Sequence, residues 1–273
     1  MFRGTGIDFD SVREYVPEDD VRHIDWNVTA RLDEPHVRQY TEDRDLTAWL
    51  VLDRSASMRF GAAQHGKDSV VTELAVVLAR LFAQGGNRVG AVLYDHRVQQ
   101  VIPAGTGRNH VLHLTHELTR PVVVRPDGRT TDLDAMLRLA ASTARRRSLV
   151  FVISDFIGAD LIGGDDWEPA LTRLGQRHEV VAVRIVDPME LDLPDLGVVL
   201  VEDAETGEQM LVDTSDPLFQ RRLRAHVDAR EVAVATAMRR AGVTAHRIGT
   251  DEDLAQALID MVRRSRHRRG AKR

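Results

Sequence analysis

A chain of 273 residues, 43% hydrophobic and 29% charged, has the make-up of an ordinary soluble globular protein, long enough for one large α/β domain or one domain with an appendage. It has no cysteine, which excludes disulfides, thiolate nucleophiles and Cys-ligated zinc and is compatible with a reducing compartment. A formal net charge of −5 gives the whole molecule no electrostatic reason to seek nucleic acid. The first residues, Met1 to Asp8, carry no apolar core of a secretory signal, and Asp10, Glu14 and Glu18 soon follow. No stretch approaches the ~18 uninterrupted apolar residues of a membrane span; Ala75 to Phe82, the best candidate, is broken by Arg80. The expectation is a cytoplasmic protein without a membrane span.

Residues 1 to 45 are charged and poor in apolar runs. Phe9, Val12, Tyr15 and Val16 have a helix-like spacing that Pro17 ends, so a short helix is expected there. Val21, Ile24 and Trp26 read as anchors docking this arm on a larger body; its dense Arg, Asp and Glu charges are the alternative, a partner-binding surface.

Thr47 to Met58 follows. Trp49 to Leu52 is a short apolar run without helical spacing, and it ends in Asp53, Ser55 and Ser57. That is a buried strand delivering one carboxylate and two hydroxyls to its C-terminal end, where ligands of open α/β sheets bind. Three hard oxygen donors at alternate positions suit Mg2+. Alone the pattern is weak.

Lys67 to Gln84 keeps the 3.6-residue period through Val70, Val71, Leu74, Val77, Leu78, Leu81 and Phe82, and Gly85-Gly86 stops it. Arg88 to Tyr94 and Val98 to Ile102 read as a strand hairpin, 103 to 107 as loop, and Asn109 as the N-cap of a helix to about Leu118. A polar loop from Pro126 through Thr130 and Thr131 leads into a helix with Leu133, Met136, Leu137 and Ala140 on its apolar side, running to Arg145-Arg146-Arg147. Ser148 to Phe156 then repeats the earlier pattern, an apolar strand ending in Asp155.

The remaining elements are a helix from Trp167 to Gly175, a strand from His178 to Val186, and a hairpin of Val198 to Glu202 with Gln209 to Val212. A long helix from Pro217 to Ala241, capped by Ser215 or Asp216, precedes a strand from Val243 to Ile248 and a helix from Asp251 to Val262. Such alternation predicts a mostly parallel sheet with helices on both faces. Residues 263 to 273 hold seven Lys or Arg in eleven positions, expected as a solvated, mobile basic tail.

Asp53-x-Ser55-x-Ser57, a later threonine (Thr131 fits the spacing better than Thr130) and Asp155 ending a strand together resemble the metal-ion-dependent adhesion site of von Willebrand factor A domains. Phe9 to Arg31, with Arg-Glu-Tyr-Val-Pro, Asp-Asp-Val-Arg, Ile-Asp-Trp and Thr-Ala-Arg segments, is similar to the bacterial family called domain of unknown function fifty-eight, whose signature precedes a von Willebrand A-like domain. The likeness is close over residues 4 to 60 and architectural beyond; Glu18 stands where the family usually has glycine. The resemblance implies an arm (1–45), a doubly wound von Willebrand factor A-like domain (46–262) and the basic tail (263–273). It further implies Mg2+ or Mn2+ held by Asp53, Ser55, Ser57, Thr131 and Asp155, with a partner carboxylate completing the shell. As partners it implies a MoxR-type ATPase of the AAA+ class and a client protein bearing an acidic residue, in a non-enzymatic role of assembling or activating complexes.

The rival from another class is a Mg2+-dependent phosphatase or hydrolase with Asp53 as nucleophile. It wants a second aspartate where Ser55 stands and a positioned lysine. Ser55 or Ser57 as a nucleophile lacks a Gly-x-Ser-x-Gly elbow, and no P-loop sequence is present. His110, His113 and His116 raise a zinc hypothesis, but His116 drifts off the shared helix face; ordinary helix residues are the simpler reading. Asp19-Asp20 and Asp165-Asp166 read as solvated or helix-start charges.

Overall fold

The computed structural model describes residues 6–17, 19–43, 46–61, 66–120, 131–157, 167–204 and 206–270. Two compact units result, Met1–Leu46 and Thr47–Arg273. No helix among the described residues is long and apolar enough to cross a membrane.

In the first unit, β1 (Gly6–Glu14) pairs antiparallel with β2 (His36–Asp43), and α1 (Trp26–Leu32) lies between them in sequence. The expected helix over Phe9 to Val16 is therefore strand as far as Glu14, with Tyr15 and Val16 beyond it. Its helix-like spacing comes from a bulge: Phe9 faces Tyr40 and Val12 faces Arg38, two partners apart, because Asp10 is an inserted residue. Asp25 caps α1, accepting from Asn27 N at 3.0 Å and Val28 N at 3.3 Å. Asp19 pairs with Arg13, and Asp20 with Arg22. Of the expected anchors, Val21 and Trp26 are exposed.

The second unit is built on a six-stranded sheet of β3 (Thr47–Asp53), β4 (Arg88–Tyr94), β5 (Val98–Gly105), β6 (Leu149–Ser154), β7 (Glu179–Val186) and β10 (Thr244–Gly249), in the order β10-β7-β6-β3-β4-β5. All neighbours run parallel except β5, which pairs antiparallel with β4. Every residue of β3 after Thr47 and every residue of β6 is buried, as expected of parallel strands covered on both faces.

Side chains alternate between two layers. Trp49, Val51, Val150 and Val152 pack with Met136 and Leu137 of α4 (Leu133–Thr143), Leu171 of α5 (Glu168–Arg177) and Val234 of α7 (Pro217–Arg240). On the other face, the Phe151 ring meets Phe82 of α2 (Lys67–Gln84) at 5.6 Å, and α2 packs on α3 (Arg108–Thr119). Asp216 caps α7, as one of the two expected candidates. Gly107 rather than Asn109 occupies the N-cap of α3, β5 extends through Gly105, and α4 stops at Thr143, short of the arginine run.

After β7 come α6 (Pro188–Leu191) and the hairpin of β8 (Val198–Glu202) with β9 (Gln209–Asp213). The last helix, α8 (Leu254–Gly270), continues well into the basic segment, so the expected mobile tail begins as helix.

Candidate cation site at the carboxyl ends of the strands

The chain runs from β3 to β4 on one side and later returns to β6 on the other, which makes the β3–β6 junction the topological switch point of the sheet. Open α/β sheets bind ligands at such a junction. Leu52 lies beside Ile153, so the next residues, Asp53 and then Ser154 and Asp155, emerge side by side.

Asp53 is 1% exposed. Its Oδ1 accepts from Ser55 N at 2.9 Å and its Oδ2 from Ser154 Oγ at 2.6 Å. Burial, and then the charge of Asp155, push its pKa up from 3.8 to about 7, against the opposing pull of the Ser154 and Ser55 bonds. Ser55 and Ser57 stand with their Oγ atoms 3.0 Å apart. The Arg54 guanidinium between Asp53 and Ser55 in sequence is turned away, donating to Leu118 O at 2.9 Å and Arg120 O at 3.3 Å.

Asp155 is equally buried. Its Oδ1 accepts from Ile157 N at 3.0 Å, and its Oδ2 from Lys67 Nζ at 2.8 Å. The turn that aims it is a demanding one: Phe156 adopts φ 56°, a left-handed conformation unfavourable for an aromatic residue. Three contacts hold it. Ser154 Oγ accepts from Phe156 N at 2.9 Å, Arg184 Nε donates to Asp155 O at 3.1 Å, and the Phe156 ring packs 5.2 Å from Trp167.

Lys67, the first residue of α2, is fully buried and donates to Glu190 Oε1 at 2.6 Å as well as to Asp155. Burial pulls its pKa down, but Asp155 and Glu190 outweigh it and the net shift is upward. Sequence reading missed Lys67, Ser154 and Glu190. One signal was available: a lysine in the first turn of a helix opposes the macrodipole, so it needs a carboxylate partner.

Thr131 is buried one residue before Asp132, whose side chain caps α4 through Ala135 N at 2.8 Å. Tyr94 is the strand partner of Asp53 on β4, and burial, then the charges of Asp132, Asp95 and Asp53, raise the pKa of its phenol. Thr130 and Asp165-Asp166 lie outside the described residues. The structure therefore brings Asp53, Ser55, Ser57 and Asp155 into one cluster, with Thr131 at the same end of the sheet.

Among the described residues no group of three or more His, Asp or Glu is placed to hold a metal ion. His110 instead bonds Val89 O at 2.7 Å through Nε2, so it braces α3 on β4. Any cation at the strand ends must lean on hydroxyls. The donors suit a hard one: oxygens placed cis around Mg2+ at about 2.0–2.1 Å lie about 2.9 Å apart, close to the observed Ser55–Ser57 separation of 3.0 Å. Ser55 also borders a cleft of about 610 Å3 whose walls carry Arg54, Arg59, Arg80 and Arg120 with Asp68 and Glu73.

Comparison with known proteins agrees with this architecture. Uncharacterized proteins of Mycobacterium tuberculosis and Mycobacterium bovis are each 35% identical over 274 aligned residues, covering 99% of this chain and 83% of theirs. Among solved structures, BatB of Bacteroides thetaiotaomicron superposes with a TM-score of 0.51 at 13% identity, covering 81% of this chain and 98% of that one. An aerotolerance-related membrane protein of Bacteroides fragilis gives 0.50 at 13% identity, covering 80% and 97%. These likenesses establish a von Willebrand factor A-like fold. The family described as protein of unknown function DUF58 matches residues 11–234, and the chain belongs to it.

Proposed function

We propose that this chain is a non-enzymatic protein-interaction module in which Asp53, Ser55, Ser57, Thr131 and Asp155 hold Mg2+ (or Mn2+) for recognition of a partner's carboxylate. The carrying observation is the pair of serine hydroxyls 3.0 Å apart beside a buried carboxylate that, among the described residues, has no cationic hydrogen-bond partner. A bound divalent cation would supply a charge-dense anchor for an Asp or Glu side chain. The arginines lining the adjoining cleft favour the same acidic partner. The signature over Phe9 to Arg31 is what supports a MoxR-type AAA+ ATPase as co-worker, with the acidic protein as client.

The phosphatase reading needs an accessible Asp53 and a lysine beside it. Asp53 is enclosed with both oxygens accepting hydrogen bonds, and Lys67 bonds Asp155 instead. The test is calorimetric titration of chelator-treated protein with Mg2+ and Mn2+, for wild type, Asp53→Ala and Thr131→Ala. Saturable heat in the wild type, lost in both variants, supports the reading. A flat wild-type titration with both metals removes it.

A further inference from the structure

The hairpin of β8 and β9 takes no part in the site above, and it exposes Val198, Leu200, Val201, Met210 and Leu211. It forms a two-stranded sheet of its own. Such a ribbon is marginal in water and gains stability from a further strand. Its hydrogen bonds show which edge is open. Thr214 N donates to Gly197 O and Asp203 N to Glu208 O, each at 2.8 Å, between directly opposed residues of the register. Antiparallel pairs alternate between bonded and unbonded. Val199 and Val201 therefore bond inward to β9, while Val198, Leu200 and Glu202 turn their N–H and C=O groups outward. Among the described residues no backbone bond from outside the hairpin reaches these three. The side chains of Val198, Leu200 and Leu211 share the face opposite the buried Val212. Leu200 is 61% exposed and Leu211 69%.

The free edges of the six-stranded sheet are guarded. β5 carries Pro103, and β10 carries an exposed Arg247, both devices that hinder strand addition. β8, Val-Val-Leu-Val-Glu, has no proline, no basic residue and no bulge.

We propose that the outer edge of β8 is a homodimer interface, pairing antiparallel with β8 of a second copy about a two-fold axis at Leu200. That register sets Leu200 opposite Leu200 and Val198 opposite Glu202 of the second copy. Every outward N–H and C=O of one strand then meets its complement on the other. No like charges are opposed: Glu202, the one charged residue of β8, faces a valine and holds Gln209 Nε2 at 2.7 Å. The resulting four-stranded sheet carries one apolar stripe made of Leu200 and Leu211 from both copies. An unrelated strand must match this register by its own sequence, whereas an identical one matches it by symmetry. So short a strand makes a small interface, and a Kd on the order of 10 µM is expected. The pairing does not depend on the cation site.

Sedimentation velocity of the full chain in chelator, from about 1 to about 200 µM, brackets that affinity. Leu200→Pro deletes an outward N–H that the hairpin itself does not use, and Leu211→Pro is the matched control on the outward side of β9. The wild type is expected to pass from one chain to two across the range. Leu200→Pro is expected to weaken association at least about tenfold, by removing the two bonds on the axis, and Leu211→Pro to behave as wild type. Leu200→Lys keeps the N–H and sets like charges on the axis; it is expected to weaken association as much, and it covers the case in which proline disturbs the hairpin. A wild type that stays monomeric throughout overturns the proposal, as does association that Leu200→Lys leaves intact. Equal loss in Leu200→Pro and Leu211→Pro also overturns it, because the contact would then lie on the apolar face and not on the β8 edge.

Discussion

Asp53→Asn tests the electrostatic account of the site independently of any metal. The amide keeps the bond from Ser55 N and reverses the one with Ser154, whose Oγ can accept from Nδ2. In the wild type the folded-state pKa is raised from 3.8 to about 7. The sign follows from linkage: the folded protein holds a proton that the unfolded chain releases, so the contribution of Asp53 is fully present below pH ~4 and is lost as pH rises through about 7. At about 1.4 kcal/mol for each tenfold change, the loss across that window is on the order of 4 kcal/mol, and full burial leaves it unscreened. Urea denaturation in chelator at intervals from pH 4.5 to 8 measures it. The wild type should lose stability toward pH 8 relative to Asp53→Asn, whatever constant offset the substitution introduces. Parallel pH profiles would refute the claim that Asp53 is an uncompensated buried carboxylate.

Arg184→Met removes the donor that fixes the Asp155 carbonyl and the partner of Glu231, bonded at 2.6 Å. Since Glu231 retains some solvent, a loss of about 2 kcal/mol is expected in urea denaturation, and a change below ~0.5 kcal/mol would show that the Phe156 turn does not depend on it. Gly90→Ala places a Cβ 2.6 Å from the Trp49 ring and 3.0 Å from Ala104 N. Differential scanning calorimetry should show destabilisation of about 1–3 kcal/mol, with no change in residue-53 titration.

The sheet was readable because parallel strands buried on both faces leave unbroken apolar runs, and the two that matter, Trp49 to Leu52 and Leu149 to Ile153, end in aspartates that emerge from neighbouring strands. The bounds of α2 were equally readable, since periodicity and Gly85-Gly86 agree. Where tertiary pairing overrides local pattern, reading failed: the bulge at Asp10 gave a strand a helical spacing. The grouping of Asp53 with Ser55 and Ser57 was legible because the three are local in sequence. Its compensation was not, because Lys67 meets partners 88 and 123 residues away.

The same distribution of charge bears on why the site is built as it is. Two carboxylates on adjacent strand ends are an unfavourable consequence of this topology, and the fold offers two remedies: a buried cation of its own or one from solution. Lys67 applies the first remedy to Asp155 alone, and Arg54, close enough in sequence to serve Asp53, spends its guanidinium on the Leu118 and Arg120 carbonyls. A chain selected only for stability would relieve position 53 by a single change to asparagine, at no cost in volume. Keeping a carboxylate there, enclosed and uncompensated, makes sense when something absent from the bare chain binds it. The hydroxyls of Ser55 and Ser57 beside it have lone pairs to share, so under the proposed reading a hard cation, rather than a second basic side chain, would complete the cluster.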